Sequence, residues 1–139
     1  MGAFKQNVLI TNGNDLAVLR AGFMKEADVR KMEVPFLIES GAYMMCINEN
    51  IQHQLGLPIV SKHEVLLADG STKLLNMVRG LEVQIFNRST IADALVLPGN
   101  AEPLFGSIPL EALDLLIDPF AGTLKVPPDR PYIAQTLLK

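Results

Sequence analysis

Short apolar runs separated by turn residues recur along this chain, and their period is that of strands. Leu81-Glu82-Val83-Gln84-Ile85-Phe86 alternates apolar and polar side chains, which gives a strand one buried face and one wet face. Val8–Thr11 is a short apolar run closed by Asn12-Gly13-Asn14, a turn signal, after which Leu16–Leu19 resumes. Val29–Val34 is mixed, Pro35–Ile38 is wholly apolar, and Met44–Ile47 is a further apolar run. The strongest hairpin signal is His63–Ala68, Asp69-Gly70 and Ser71–Val78, because an Asp-Gly pair tolerates the positive φ angles of a two-residue type I′ turn. Asn87-Arg88 turns the chain into Ile91–Leu97, which stops at Pro98-Gly99. Two helices are expected. Asn48 caps one over Glu49–Leu55, with Gly56 as its stop, and Ser107 caps another over Ile108–Leu115 with Pro109 in its first turn. Ile117-Asp118-Pro119 and Ala121-Gly122 then turn into Thr123–Val126. This pattern predicts an all-β domain, a small closed or nearly closed barrel with one or two short helices.

The length of 139 residues suits one domain, and 49% hydrophobic residues with no Trp imply a mainly aliphatic core. A formal net charge of -3 argues against a nucleic-acid partner, which would need a basic face. No stretch is long and apolar enough for a membrane span, and the apolar run after Met1–Gln6 is too short for a secretory signal. A lone cysteine, Cys46, excludes an internal disulfide framework and fits a reducing compartment, so a cytoplasmic protein is expected.

The most informative segment is Phe36-Leu37-Ile38-Glu39-Ser40-Gly41-Ala42. An apolar strand, read as buried on both faces, delivers a carboxylate into a Ser-Gly turn, where it needs donors around it or a purpose. The Ser40 hydroxyl and the pliant Gly41 backbone are suited to orienting that acid. The competing reading is that Glu39 ends the strand at the surface and accepts local amide bonds. Elsewhere the candidates are weaker. His53 and His63 have no Cys or acid at ligand spacing, so no metal or other cofactor is expected. Cys46 reads as an inert buried thiol, and Asn87-Arg88-Ser89 as a turn.

Several of these pieces together resemble the retropepsin-like aspartic proteases, in particular their short prokaryotic members. The family's apolar strand and Asp-Thr/Ser-Gly-Ala signature is similar to Leu37-Ile38-Glu39-Ser40-Gly41-Ala42. Its strand, short helix and Leu-Gly-Leu resemble Cys46-Ile47, Asn48–Gln54 and Leu55-Gly56-Leu57, and its flap hairpin looks like Val65–Ser71. Asp93–Gly99 is similar to the strand before the family's second fingerprint. That fingerprint looks like Leu104-Phe105-Gly106 ahead of Leu110–Leu113, and Ile117-Asp118-Pro119 resembles the closing turn. The resemblance spans Val8 to Val126, so residues 1–126 are expected to form the protease-like domain and 127–139 a Pro-containing tail.

What the resemblance implies is a peptidase made of two chains, since the chain holds one acid motif and the reaction uses two. Glu39, Ser40 and Gly41 take the catalytic positions. Ala42, Leu67, Ala68, Asp69 and Gly70 take substrate-binding positions, with a peptide or protein as substrate. Asp69 also reads as a purely structural turn residue. Two departures stand out. Glu39 occupies the position of the family's Asp, which lengthens each arm of a tightly fitted pair; a misplacement of about 1 Å can cost on the order of 10²-fold in rate. An Arg–acid link of the retroviral members is replaced by Ser107 and Tyr43 or Met44, with both charges lost together. The alternative implied by the first departure is a catalytically weakened homologue that binds peptides as a dimeric module.

Overall fold

A computed structural model describes residues 3–138. It is dominated by strands, with a few short helices and no helix long and apolar enough to cross a membrane among the described residues. Seven strands form one sheet: β1 (Phe4–Asn12), β2 (Lys31–Ile38), β3 (Met45–Asn48), β4 (Ser61–Leu66), β5 (Thr72–Ile85), β6 (Arg88–Leu97) and β7 (Leu104–Phe105). Their order is β1-β2-β7-β3-β6-β5-β4, and β5 also pairs with β1. Two further strands, β8 (Leu116–Asp118) and β9 (Thr123–Lys125), form a separate antiparallel ribbon.

The long strand β5 serves two partners on one of its edges. Thr72–Met77 pairs with β4, and Leu81–Gln84 pairs with Asn12–Leu9 of β1. Between them the register slips at Val78/Leu81, where Gly80 has a φ of 77°. That bulge re-aims the strand, as bulges do, and lets the pairings run from β1 through β2, β7, β3, β6 and β5 back to β1. The core is aliphatic with two aromatics. Val8, Ile10, Met45, Ile47, Val83 and Ile85 pack around Phe36 and Phe105, whose rings meet edge to face at 5.7 Å.

Glu49–Leu55 folds as the sequence predicts. This helix, α2, follows α1 (Gly13–Arg20), and Asn48 Oδ1 accepts the Ile51 N–H at 2.9 Å while Gly56 ends it at φ 63°. The Leu81–Phe86 alternation also holds.

Other expectations are corrected. Asn12-Gly13-Asn14 opens α1 instead of a turn between strands. Asn12 Oδ1 accepts the Asp15 N–H at 3.0 Å, so the same short polar side chain that favours turns acts here as a helix cap. Three α-helices, not one or two, thus occur among the described residues, plus a 3₁₀ turn at Glu26–Asp28. Pro35–Ile38 is not buried on both faces: Phe36 and Ile38 point inward, Pro35 is exposed and Leu37 half-buried. The third helix, α3 (Ser107–Ala112), has Gly106 at its cap position with no side-chain bond, and Asp114 at φ 53° stops it short of Leu115. The β5–β6 turn falls at Phe86-Asn87, because Ile85 pairs with Arg88 and Arg88 is buried in the strand.

Candidate functional site

Glu39 leaves the end of β2 into the loop that returns as β3, and β7 lies between those two strands. β7 pairs in parallel with β2 and antiparallel with β3. Its neighbours buttress the loop through the backbone. The Leu37 N–H donates to the Pro103 carbonyl at 3.0 Å and the Glu39 N–H to that of Phe105 at 3.1 Å. From the other side, the Ser107 and Ile108 N–H groups donate to the Ala42 and Tyr43 carbonyls at 2.9 and 3.0 Å. These are first-turn amides of α3 that have no partner within the helix, so the loop satisfies them. Gly106 makes this approach possible: a Cβ there would sit 2.5, 2.7 and 2.8 Å from the carbonyl oxygens of Met44, Tyr43 and Ala42.

Within the loop, the Ala42 N–H donates to the Glu39 carbonyl at 3.0 Å and closes a tight turn. The Gly41 N–H donates to Glu39 Oε1 at 3.1 Å. Glu39 is half-buried, Ser40 and Gly41 are exposed, and Ala42 is half-buried. The backbone thus orients one carboxylate oxygen, and no hydrogen bond from a described residue engages Oε2.

Beside this turn opens a groove of about 670 Å³. Gly41 and Ala42 form one wall, His63–Leu67 of the β4 hairpin the other, and Cys46, Leu75, Leu95, Leu97 and Leu104 the floor. Of the residues singled out in the sequence, Gly41, Ala42 and Leu67 line it. Glu39 and Ser40 adjoin it through the chain, and Ala68, Asp69 and Gly70 stand at the hairpin tip outside the lining.

That tip differs from the predicted two-residue type I′ turn. Leu66 pairs with Thr72, the Leu67 N–H donates to the Ser71 carbonyl at 2.8 Å, and the Gly70 N–H to that of Leu67 at 3.0 Å. Only Gly70 has positive φ, 87°, so Ala68-Asp69 turn the chain and Gly70 forms the bulge that restores the ladder. Asp69 Oδ1 accepts from both the Ser71 hydroxyl and its N–H, which holds the Asp69 carboxyl below the usual carboxylate range. Leu66 is 72% exposed, whereas Leu75 is buried as part of the floor.

The floor is what sequence reasoning did not assign. Met45 and Ile47 face the main core, while Cys46 faces the groove with Leu75, Met77 and Leu95 as a second apolar cluster. The signal was present in Met44–Ile47 and Ala94–Leu97: strands apolar on both faces must be covered twice. Burial pushes the Cys46 thiol up from its ordinary value, in line with an unreactive side chain. No group of three or more His, Cys, Asp or Glu suited to a metal ion occurs among the described residues.

The chain matches no protein-family model and no curated protein.

Proposed function

We propose that this chain is a retropepsin-like, aspartic-type endopeptidase whose carboxylate pair forms across a homodimer, one Glu39 from each copy. The observation that carries the reading is the Glu39-Ser40-Gly41-Ala42 turn, buttressed by β7 and α3 and opening beside an apolar groove with a hairpin for its far wall. The pairings that return from β5 to β1 support a small closed barrel of the retropepsin-like type. A lone buried cysteine suits a cytoplasmic setting.

In such a pair, two carboxylates a few Å apart hold one proton between them, because both cannot ionise at that separation. The ionised member takes a proton from a bound water as its oxygen attacks the scissile carbonyl, and the protonated member donates to the carbonyl oxygen. The two titrate as a unit. The Gly41 N–H on Oε1 restrains the longer glutamate arm and leaves Oε2 for the proton and the water. The substrate is an extended peptide, paired like a strand against the hairpin around Leu67–Gly70, with apolar side chains on the leucine-rich floor.

A second reading, a dimeric peptide-binding module without turnover, draws on the groove alone, whose apolar floor does not involve the carboxylate. Cleavage of a mixed peptide library at mildly acid and neutral pH separates the two. The peptidase reading expects products from this chain and from Glu39→Asp, and none from Glu39→Gln. Activity confined to Glu39→Asp would mean a scaffold disarmed at one side chain. Silence of all three with tight peptide binding would establish the binding module.

A further inference from the structure

The segment after β9 is held down far more firmly than its lack of regular structure suggests. Arg130 donates to Asp114 through Nε at 2.7 Å and Nη2 at 2.9 Å, and the Gln135 N–H reaches the same carboxylate at 2.9 Å. Asn87 Nδ2 donates to the Pro131 carbonyl at 2.9 Å. Arg88, only 2% exposed, donates through Nη2 to the Arg130 carbonyl and through Nε to Asn87 Oδ1. Its Nη1 lies 3.6 Å from Asp114 Oδ2 and makes no hydrogen bond. The C-terminal segment therefore supplies both the second cation on Asp114 and a carbonyl for a buried guanidinium. Without it, Arg88 would keep one carboxylate at long range and lose an acceptor, a costly state for a buried charge.

Asp114 lies just beyond Leu113, the C-terminal cap of α3. It lies seven positions after Ser107, about 10 Å at the rise of a helix. Between them Leu110 and Leu113 are buried in the main core, so α3 is a short rigid piece with one end at the latch. Its other end holds the Ala42 and Tyr43 carbonyls, in the loop that carries Glu39.

We propose that the segment Pro127–Gln135 is a strap whose docking on Asp114 sets α3, and that α3 in turn fixes the Glu39 loop. Asp114 and Arg130 are positioning residues in this device. The coupling is a property of the fold and stands whether or not Glu39 turns over a substrate, so its failure and that of the peptidase reading are separable. Arg88, Asp114, Arg130 and Asp129 are the charged groups that meet at the latch.

Residue-resolved amide hydrogen exchange on the full chain tests it. Arg130→Gln removes the bidentate contact and keeps the length of the segment. The expected result is loss of protection at Gln135 together with about tenfold faster exchange at Ser107 and Ile108, while amides of β1 and β2 keep their rates. Asp15→Asn, which breaks an ion pair away from the strap, is the control and leaves Ser107 and Ile108 no faster than the sheet. Asp114→Asn should reproduce the effect; if that variant does not fold, Arg130→Gln carries the test alone. Free exchange at Gln135 with Ser107 and Ile108 unchanged would overturn the coupling. So would a uniform acceleration across the sheet, or Gln135 remaining protected in every folded variant.

Discussion

Replacing Gly106 with alanine probes the joint on which the candidate site rests. At φ -89° and ψ -175° this residue occupies extended backbone open to any amino acid, so alanine introduces no torsional strain there. The cost is steric. The new methyl would lie 2.5, 2.7 and 2.8 Å from three carbonyl oxygens, closer than carbon and oxygen tolerate, and all three are backbone atoms that cannot rotate away. Overpacking of this kind costs about 1–3 kcal/mol. Moving the loop back also stretches the bonds from Ser107 and Ile108, each worth about 1 kcal/mol net. Together these give a loss of about 3 kcal/mol, a large share of the about 5–15 kcal/mol that holds a domain folded. Urea unfolding of the two proteins at equal slope measures it. Gly70→Ala is the matched control, because nothing lies within 4 Å of its added carbon and only the positive φ of 87° is penalised; its expected cost is about 1 kcal/mol. A Gly106→Ala variant within about 0.5 kcal/mol of the parent would refute the close approach of α3 to the Glu39 loop.

The ion pair of Asp15 and Arg30 makes stability depend on acid. Asp15 is 3% exposed and accepts from the Arg30 Nε, Nη2 and N–H at 2.9 Å each, with the side-chain bonds the main cause of its lowered pKa. A carboxyl depressed on folding stabilises the fold above its unfolded pKa, here 3.8, and loses that contribution as pH falls through the folded value. Asp15→Asn should therefore lower the melting temperature at pH 7, by an amount equivalent to about 1–3 kcal/mol, and the gap from the parent should close progressively below pH about 4; a gap independent of pH would contradict the pairing. Asn48→Ala removes the cap of α2 and the bond from Nδ2 to the Ala101 carbonyl, and should cost about 1–2 kcal/mol in chemical unfolding.

The elements that the sequence makes legible are those whose signals are local. Leu81–Phe86 alternates because one face meets the core, and Asn48 and Gly56 mark the ends of α2 by their own side-chain and backbone chemistry. Where one local signal serves two structures, tertiary contacts decide. Asn12-Gly13-Asn14 suits a turn or a helix cap equally. The helix prevails with Asp15 buried against Arg30, fifteen positions further on. Asp69-Gly70 suits a two-residue turn or a bulged one, and the carboxylate of Asp69, held by Ser71, accompanies the second. At the candidate site, Glu39 and its Ser-Gly turn stand out in one stretch of chain, whereas the groove floor draws on β3, β5, β6 and β7, whose apolar residues look like any core. Arg88 is least legible of all. A charged residue after Asn87 reads as solvent-facing, and the carbonyl that accepts from it comes from a residue 42 positions away.

In the dimer we propose, two Glu39 carboxylates, one per chain, act together, and subunit mixing reads out whether both are needed. The parent and Glu39→Gln proteins are unfolded together in varied ratio, refolded, and assayed on a peptide that the parent cleaves. If both carboxylates of a dimer are required, activity follows the square of the parent fraction, so an equal mixture retains about a quarter. Activity in direct proportion to the parent fraction would mean that each chain works alone, and a parent with no cleavage in any condition would contradict the carboxylate pair outright.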